Sequence, residues 1–169
     1  MRISFDLDEV LFVDPKRYEI EKPPRGLAAR LFSERLRKGT PELIHELQKR
    51  GFEVWIYTSS YRTVSYLKRL FRLYGITFDG IVNAERHNRE VQRDRKQMLP
   101  QKMPPHYQIS LHIDDEESII RSGTSFGFRV FRVYEPDPEW VQKVLDEAER
   151  IRSLEIKQKA LRREAQKGV

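Results

Sequence analysis

At 169 residues the chain can build one compact domain with its own core but hardly two, and with 38% hydrophobic and 34% charged residues it is not disordered throughout. The absence of cysteine excludes disulfides, thiolate metal sites and cysteine nucleophiles, so any metal must be held by oxygen or imidazole. A formal charge of +6 favours polyanions, which makes nucleic acid an admissible partner, and the lack of a bilayer-length apolar run or apolar signal core leads us to expect a cytoplasmic protein without membrane contact.

The first strand is expected in RISFDL, residues 2–7, from its β-branched and aromatic content. The following stretch, FVDPKRYEIEKPPRG, is rich in proline and charge and suits a surface loop or flap. TPELIHELQKRG then has the pattern of a helix, with Thr40 as cap, Pro41 in the first turn and Gly51 as stop. FEVWIYT is the second strand, ending at Thr58. In the next stretch Val64, Leu67, Leu70, Phe71 and Tyr74 recur at helical spacing. GIVNA, HYQISLHIDD and FRVFRVY supply three further strands, and from Asp137 onward one long helical pattern runs to the end. In that last helix Trp140, Val144, Ala148 and Ile151 form a docking stripe that thins beyond Leu154.

Strands alternating with helices predict an α/β fold of Rossmann-like type. The expected architecture is a three-layer sandwich with a mainly parallel sheet of about five strands and a long C-terminal helix. We expect residues 1–135 to form the main domain, with a minimal flap at about 10–39, and residues 136–169 a helical extension. The extension leaves two oligomeric states open, a monomer or a dimer through the C-terminal helix.

In such sheets ligands gather beyond the carboxyl ends of the strands. Asp6 and Asp8 lie there after strand one, Thr58 after strand two, and Asp114 with Asp115 after strand four. Residues two apart in a strand point the same way, so Asp6 and Asp8 are expected to converge. Close carboxylates repel unless a cation offsets them, and Mg²⁺, an oxygen-preferring ion, suits a chain without cysteine. His112, two residues before Asp114, is read as a buried, hydrogen-bonded side chain rather than a ligand.

The order of DLDEV, a hydrophobic strand ending in Thr in EVWIYTSS, a later lysine and then IDD resembles the four motifs of the haloacid dehalogenase superfamily, over about residues 3–133. The resemblance implies a Mg²⁺-dependent phosphatase acting on a phosphate monoester through an aspartyl-phosphate. Asp6 would be the nucleophile, and Asp8 would protonate the leaving group and then activate water. Thr58, Ser59 and a lysine would hold the phosphoryl group. Asp6, the backbone carbonyl of Asp8, Asp114 and Asp115 would form the metal site. Lys102, followed by prolines before strand four, is preferred as the catalytic lysine over Lys96. Glu9 departs from the pattern, standing where a small residue is usual.

Neither 10–39 nor 83–105 is long enough for a full lid, so the phosphorylated substrate would meet an open site. It could be a nucleotide, a nucleic-acid end, a protein or a small metabolite. Two other readings fit parts of the pattern. One is a catalytically silent relative that binds a partner through its basic surface or last helix. The other is a receiver-like phosphoacceptor, although receivers carry their acid pair before their lysine.

Overall fold

The computed structural model describes residues 1–24, 26, 32–93, 99–133 and 135–167. Five strands, β1 (Arg2–Phe5), β2 (Glu53–Tyr57), β3 (Gly80–Val82), β4 (Ile109–Asp114) and β5 (Val130–Arg132), form one sheet in the order β3-β2-β1-β4-β5. Every pairing is parallel. Parallel strands need crossovers, here supplied mainly by helices α1 (Thr40–Lys49), α2 (Val64–Leu73), α3 (Ala84–His87) and α4 (Glu117–Phe126), before the long α5 (Trp140–Lys167). The architecture is the α/β, Rossmann-like sheet with flanking helices expected from the sequence.

Covered sheet faces explain why the central strands are apolar almost without interruption. Along β2, Val54 and Ile56 join the main core, while Tyr57 and the partly buried Trp55 pack on the opposite side with Tyr107, Val82 and Val91. Gly80 on β3 is required there, because a Cβ would lie 2.3 Å from the Trp55 ring.

Local details depart from or sharpen the sequence reading. Thr40 is the first helical residue rather than the cap. Gly39 takes the cap position at φ 86, and the Thr40 hydroxyl donates instead to the Arg37 carbonyl at 2.7 Å. Helix α2 begins only at Val64, where the Thr63 side chain accepts from the Tyr66 amide, which leaves residues 59–63 as a loop. His106 and Tyr107 belong to a 3₁₀ turn, Pro104–Tyr107, instead of β4, since two prolines cannot donate to a ladder. Finally, α3 continues into a π-helical turn, Asn88–Gln92, that the sequence did not announce.

The flap folds back on itself. Phe12 and Ile20 bridge Leu36 and Arg37 in antiparallel fashion, and Phe12 stacks on Phe71 of α2 with centroids 5.4 Å apart. Buried Arg37 lies over Tyr18 and Trp140 at 5.1 and 4.6 Å and donates to the Glu135 carbonyl at 2.8 Å. One guanidinium thereby ties the flap to the start of α5. Among the described residues no helix is long and apolar enough to cross a membrane.

Trp140, Val144, Leu145, Ala148 and Ile151 of α5 are buried, whereas Ile156 and Leu161 are 61% and 65% exposed. Only the first half of the helix therefore contributes to the core. Ile151→Ala should lower unfolding free energy by about 2–5 kcal/mol in urea titration, while Leu161→Ala should stay within about 0.5 kcal/mol. Equal effects would contradict this division of the helix.

Candidate active site

Because all strands are parallel, their carboxyl ends share one edge of the sheet. The Asp6 amide, just past β1, donates to the Ile113 carbonyl at 2.9 Å, which holds the two central strands together at that edge. Asp6 is 6% exposed and Asp114, the last residue of β4, is fully buried. Lys102, 1% exposed, brings its Nζ to 2.9 Å from Asp6 Oδ1 and 2.5 Å from Asp114 Oδ2. His112 Nε2 lies 2.8 Å from the same Asp114 oxygen, and its Nδ1 lies 2.8 Å from Ser4 Oγ. His112 thereby bridges Ser4 on β1 to Asp114. The other Asp114 oxygen accepts the Glu116 amide at 3.0 Å, so this acid both joins the site and caps the approach to α4.

Asp6, Asp114 and Asp115 each offer a carboxylate oxygen, all within 4.8 Å of one another. Their protonation is split by environment. Burial, reinforced by Asp114, raises the Asp6 carboxyl above its ordinary value despite Lys102. Burial also acts to raise Asp114, but His112 and Lys102 together overcome it and hold that group far below the usual range. Burial followed by the charges of Asp114 and Asp6 pushes Asp115 up to about 6. Burial opposes the charge on Lys102, yet the two flanking carboxylates leave its pKa raised.

Thr58 follows β2 and is buried, its Oγ1 accepting the Ser60 amide at 3.1 Å, while Ser59 is exposed. Asp8 lies beyond Leu7 in the turn after β1. Its carboxylate is gripped by Arg62 through bonds of 2.8 and 2.9 Å and stands outside the three-acid cluster. Glu9 adopts φ 58, an uncommon backbone conformation at this turn for a residue other than glycine. Arg62 Nε also reaches Glu34 of the flap at 3.1 Å, and Glu34 accepts the Tyr66 hydroxyl. Lys96 lies outside the described residues.

A similar fold occurs in a HAD-superfamily hydrolase, subfamily IA, from Geobacter sulfurreducens PCA. The two chains are 16% identical, with 81% of this chain and 91% of that one covered, at a TM-score of 0.51. D,D-heptose 1.7-bisphosphate phosphatase of B. bronchiseptica, solved with magnesium and phosphate, matches at 12% identity, 84% and 85% coverage and a TM-score of 0.50. A chain of the Pnkp1/Rnl/Hen1 complex matches at 16% identity and a TM-score of 0.52, over 80% of this chain but only 46% of that one. The chain has a haloacid dehalogenase-like fold. No family model matches it, and no curated protein sequence does.

Within the haloacid dehalogenase-like fold, the residues present suit a hard divalent cation. The donor set is entirely carboxylate. Buried Asp6 Oδ1 has no hydrogen-bonding partner, its approach to Lys102 being an ion pair without hydrogen-bond geometry. Arg62 and Glu34 were missed in the sequence because nothing local pairs them with Asp8. Ser4 gave no signal either, although it lies directly opposite His112 in the β1–β4 register.

Two outcomes follow. Lys102→Met leaves Asp6 and Asp114 buried without their cation, and should cost about 3–5 kcal/mol of stability in denaturant titration at neutral pH. For Asp115, a folded pKa above the unfolded value makes its ionised form unfavourable in the metal-free protein. Its contribution to stability is present below the unfolded pKa of 3.8 and lost as pH rises through about 6. Asp115→Asn should therefore raise the melting temperature in EDTA at pH 8 and weaken the stabilisation that Mg²⁺ gives. A melting curve unchanged in both conditions would contradict this.

Proposed function

We propose that the protein is a Mg²⁺-dependent phosphohydrolase that cleaves a phosphate monoester through a phosphorylated Asp6. The observation that carries this reading is the convergence of Asp6, Asp114 and Asp115 around Lys102 at one edge of a haloacid dehalogenase-like sheet. The magnesium and phosphate bound to the B. bronchiseptica enzyme support the choice of ion and substrate group.

An Asp6 carboxylate oxygen attacks phosphorus as the bond to the ester oxygen breaks, and the departing oxygen takes a proton from Asp8. In the second step Asp8 accepts a proton from water, whose oxygen attacks phosphorus. The bond between Asp6 and phosphorus breaks, and inorganic phosphate leaves. Splitting hydrolysis in this way replaces one difficult displacement by two easier ones. Asp8 suits the proton-transfer role because its side chain is 55% exposed, unlike the buried acids behind it. Lys102 fixes Asp6 and places a positive charge beside the transferring group, while Thr58 offers a hydroxyl at the adjoining strand end. Mg²⁺, held by Asp6, Asp114, Asp115 and the Asp8 carbonyl, would neutralise charge on the phosphoryl oxygens. Arg62, bonded to Asp8 through both nitrogens, sets the direction of its carboxylate.

Release of phosphate from p-nitrophenyl phosphate should require Mg²⁺ and stop in EDTA. Asp6→Asn should abolish turnover, and Asp8→Asn should lower kcat by about 10²–10⁴ with a smaller change in KM. Turnover retained by the Asp6→Asn protein would remove Asp6 as the nucleophile.

A further inference from the structure

The loop that carries Thr58 also carries Tyr61, whose side chain belongs to no core. Tyr61 is 71% exposed, on a loop whose backbone is tied at several points. The Ser60 amide donates to Thr58 Oγ1 at 3.1 Å, the Ala84 amide donates to the Ser60 carbonyl at 3.0 Å, and Asn83 Nδ2 donates to the Arg62 carbonyl at 3.1 Å. Asn88 Nδ2 completes the brace by donating to the Tyr61 hydroxyl at 3.2 Å. An outward-facing ring three residues beyond the phosphate-binding candidate offers a stacking platform.

Asn88 opens the π-helical turn, an irregularity that recurs at functional sites. A groove of about 420 Å³ lies beside edge strand β3, lined by Val64 at the start of α2 and by Arg89 and Glu90 of the π-turn. Lys68, Arg86 and Arg89 line it with Asp79 and Glu90. Both acids are engaged: Asp79 accepts the Val54 amide at 2.7 Å, and Glu90 accepts Arg86 and Arg89 at 2.9 and 3.0 Å. Three cations stand against two acids in the lining, with Arg86 and Arg89 paired to Glu90; Arg89 is still 64% exposed, and the chain as a whole carries +6.

We infer that the phosphate presented to Asp6 is the terminal phosphate of a single-stranded nucleic acid, with a base stacked on Tyr61 and the backbone following the groove beside β3. An aromatic platform beside a cationic track is how such strands are held without sequence preference. A flap that forms no helix among its described residues leaves room for a polymer. The substrate assignment rests on the phosphohydrolase reading above, but the surface is tested independently of turnover.

Binding of fluorescein-labelled single-stranded DNA and RNA of about eight nucleotides, with and without a terminal phosphate, is measured by polarisation on the full chain in EDTA at low salt. The wild type should bind, and Tyr61→Ala should weaken binding by about tenfold. Tyr61→Phe, which keeps the ring and loses the bond to Asn88, should retain affinity. Lys68→Ala and Arg89→Ala should each flatten the dependence of log Kd on log salt by about 0.7. The DNA and RNA arms show which sugar is preferred.

No binding overturns the inference, as does equal affinity of wild type and Tyr61→Ala. A loss in Tyr61→Phe as large as in Tyr61→Ala, or an acidic peptide bound equally well through Tyr61, overturns it too. If p-nitrophenyl phosphate is hydrolysed while no oligonucleotide binds, only the nucleic-acid inference falls. If oligonucleotides bind through Tyr61 but neither they nor the aryl ester lose phosphate, the phosphohydrolase reading falls and the binding surface stands.

Discussion

The site depends on the ion triplet in which buried Lys102 lies between Asp6 and Asp114. Two carboxylates taken out of water beside each other are costly, and the cation between them is what makes their burial tolerable. Lys102 reaches them from the loop before β4, where the Met103 amide donates to the Tyr57 hydroxyl at 2.7 Å and Pro104–Tyr107 turns tightly. With Asp115 included, three carboxylates face one lysine, so an excess of two negative charges remains when all are ionised. A divalent cation would balance that excess. Burial first, and then the neighbouring carboxylate charge, raises the pKa of both Asp6 and Asp115.

Behind the triplet, a chain of polar contacts runs through the sheet. Ser4 on β1 meets His112 on β4, and His112 meets Asp114. The His112 ring also lies 5.9 Å from Tyr57 on β2, whose hydroxyl is 2.5 Å from His87 Nδ1 on α3. Burial raises the Tyr57 phenol well above its ordinary range, so it stays protonated and can donate to His87 while accepting the Met103 amide. The loop that presents Lys102 and the helix that leads to the π-turn are thus anchored on one side chain. The same tyrosine joins the edge that carries the acids to the helix that leads into the π-turn.

Much of this was legible in the sequence because it rests on local periodicity. The five strands showed as short apolar runs, and the parallel α/β order followed from their alternation with helices. The acids showed because each ends such a run. Contacts across the fold were not legible. Arg62 is 54 residues from Asp8 and 28 from Glu34, and no spacing rule connects a strand-end acid to a loop arginine and a flap glutamate. Gly39 displaced Thr40 from the cap through tertiary packing, since a Cβ at Gly39 would meet Val141 Cγ2 of α5 at 2.6 Å. The convergence expected of Asp6 and Asp8 assumed that strand geometry persists through both, whereas β1 stops at Phe5 and the turn carries Asp8 to Arg62.

That turn links the flap to Asp8. Arg62 holds Asp8 and Glu34 at once, lies over the Phe12 ring at 5.6 Å, and shares Glu34 with the Tyr66 hydroxyl. A single exposed ion pair contributes little, because water screens it and two long side chains must be ordered. Here the guanidinium is only 30% exposed and Glu34 13%, so the network is better shielded and its geometry is fixed from four directions. The flap cannot lift from α2 without withdrawing Glu34 from Arg62, which would free the guanidinium to rotate away from Asp8. The direction of the Asp8 carboxylate is therefore coupled to the seating of the flap. The strand ends hold the buried acids Asp6 and Asp114 in place through Lys102, and the flap, through Glu34 and Arg62, bears on the more exposed Asp8.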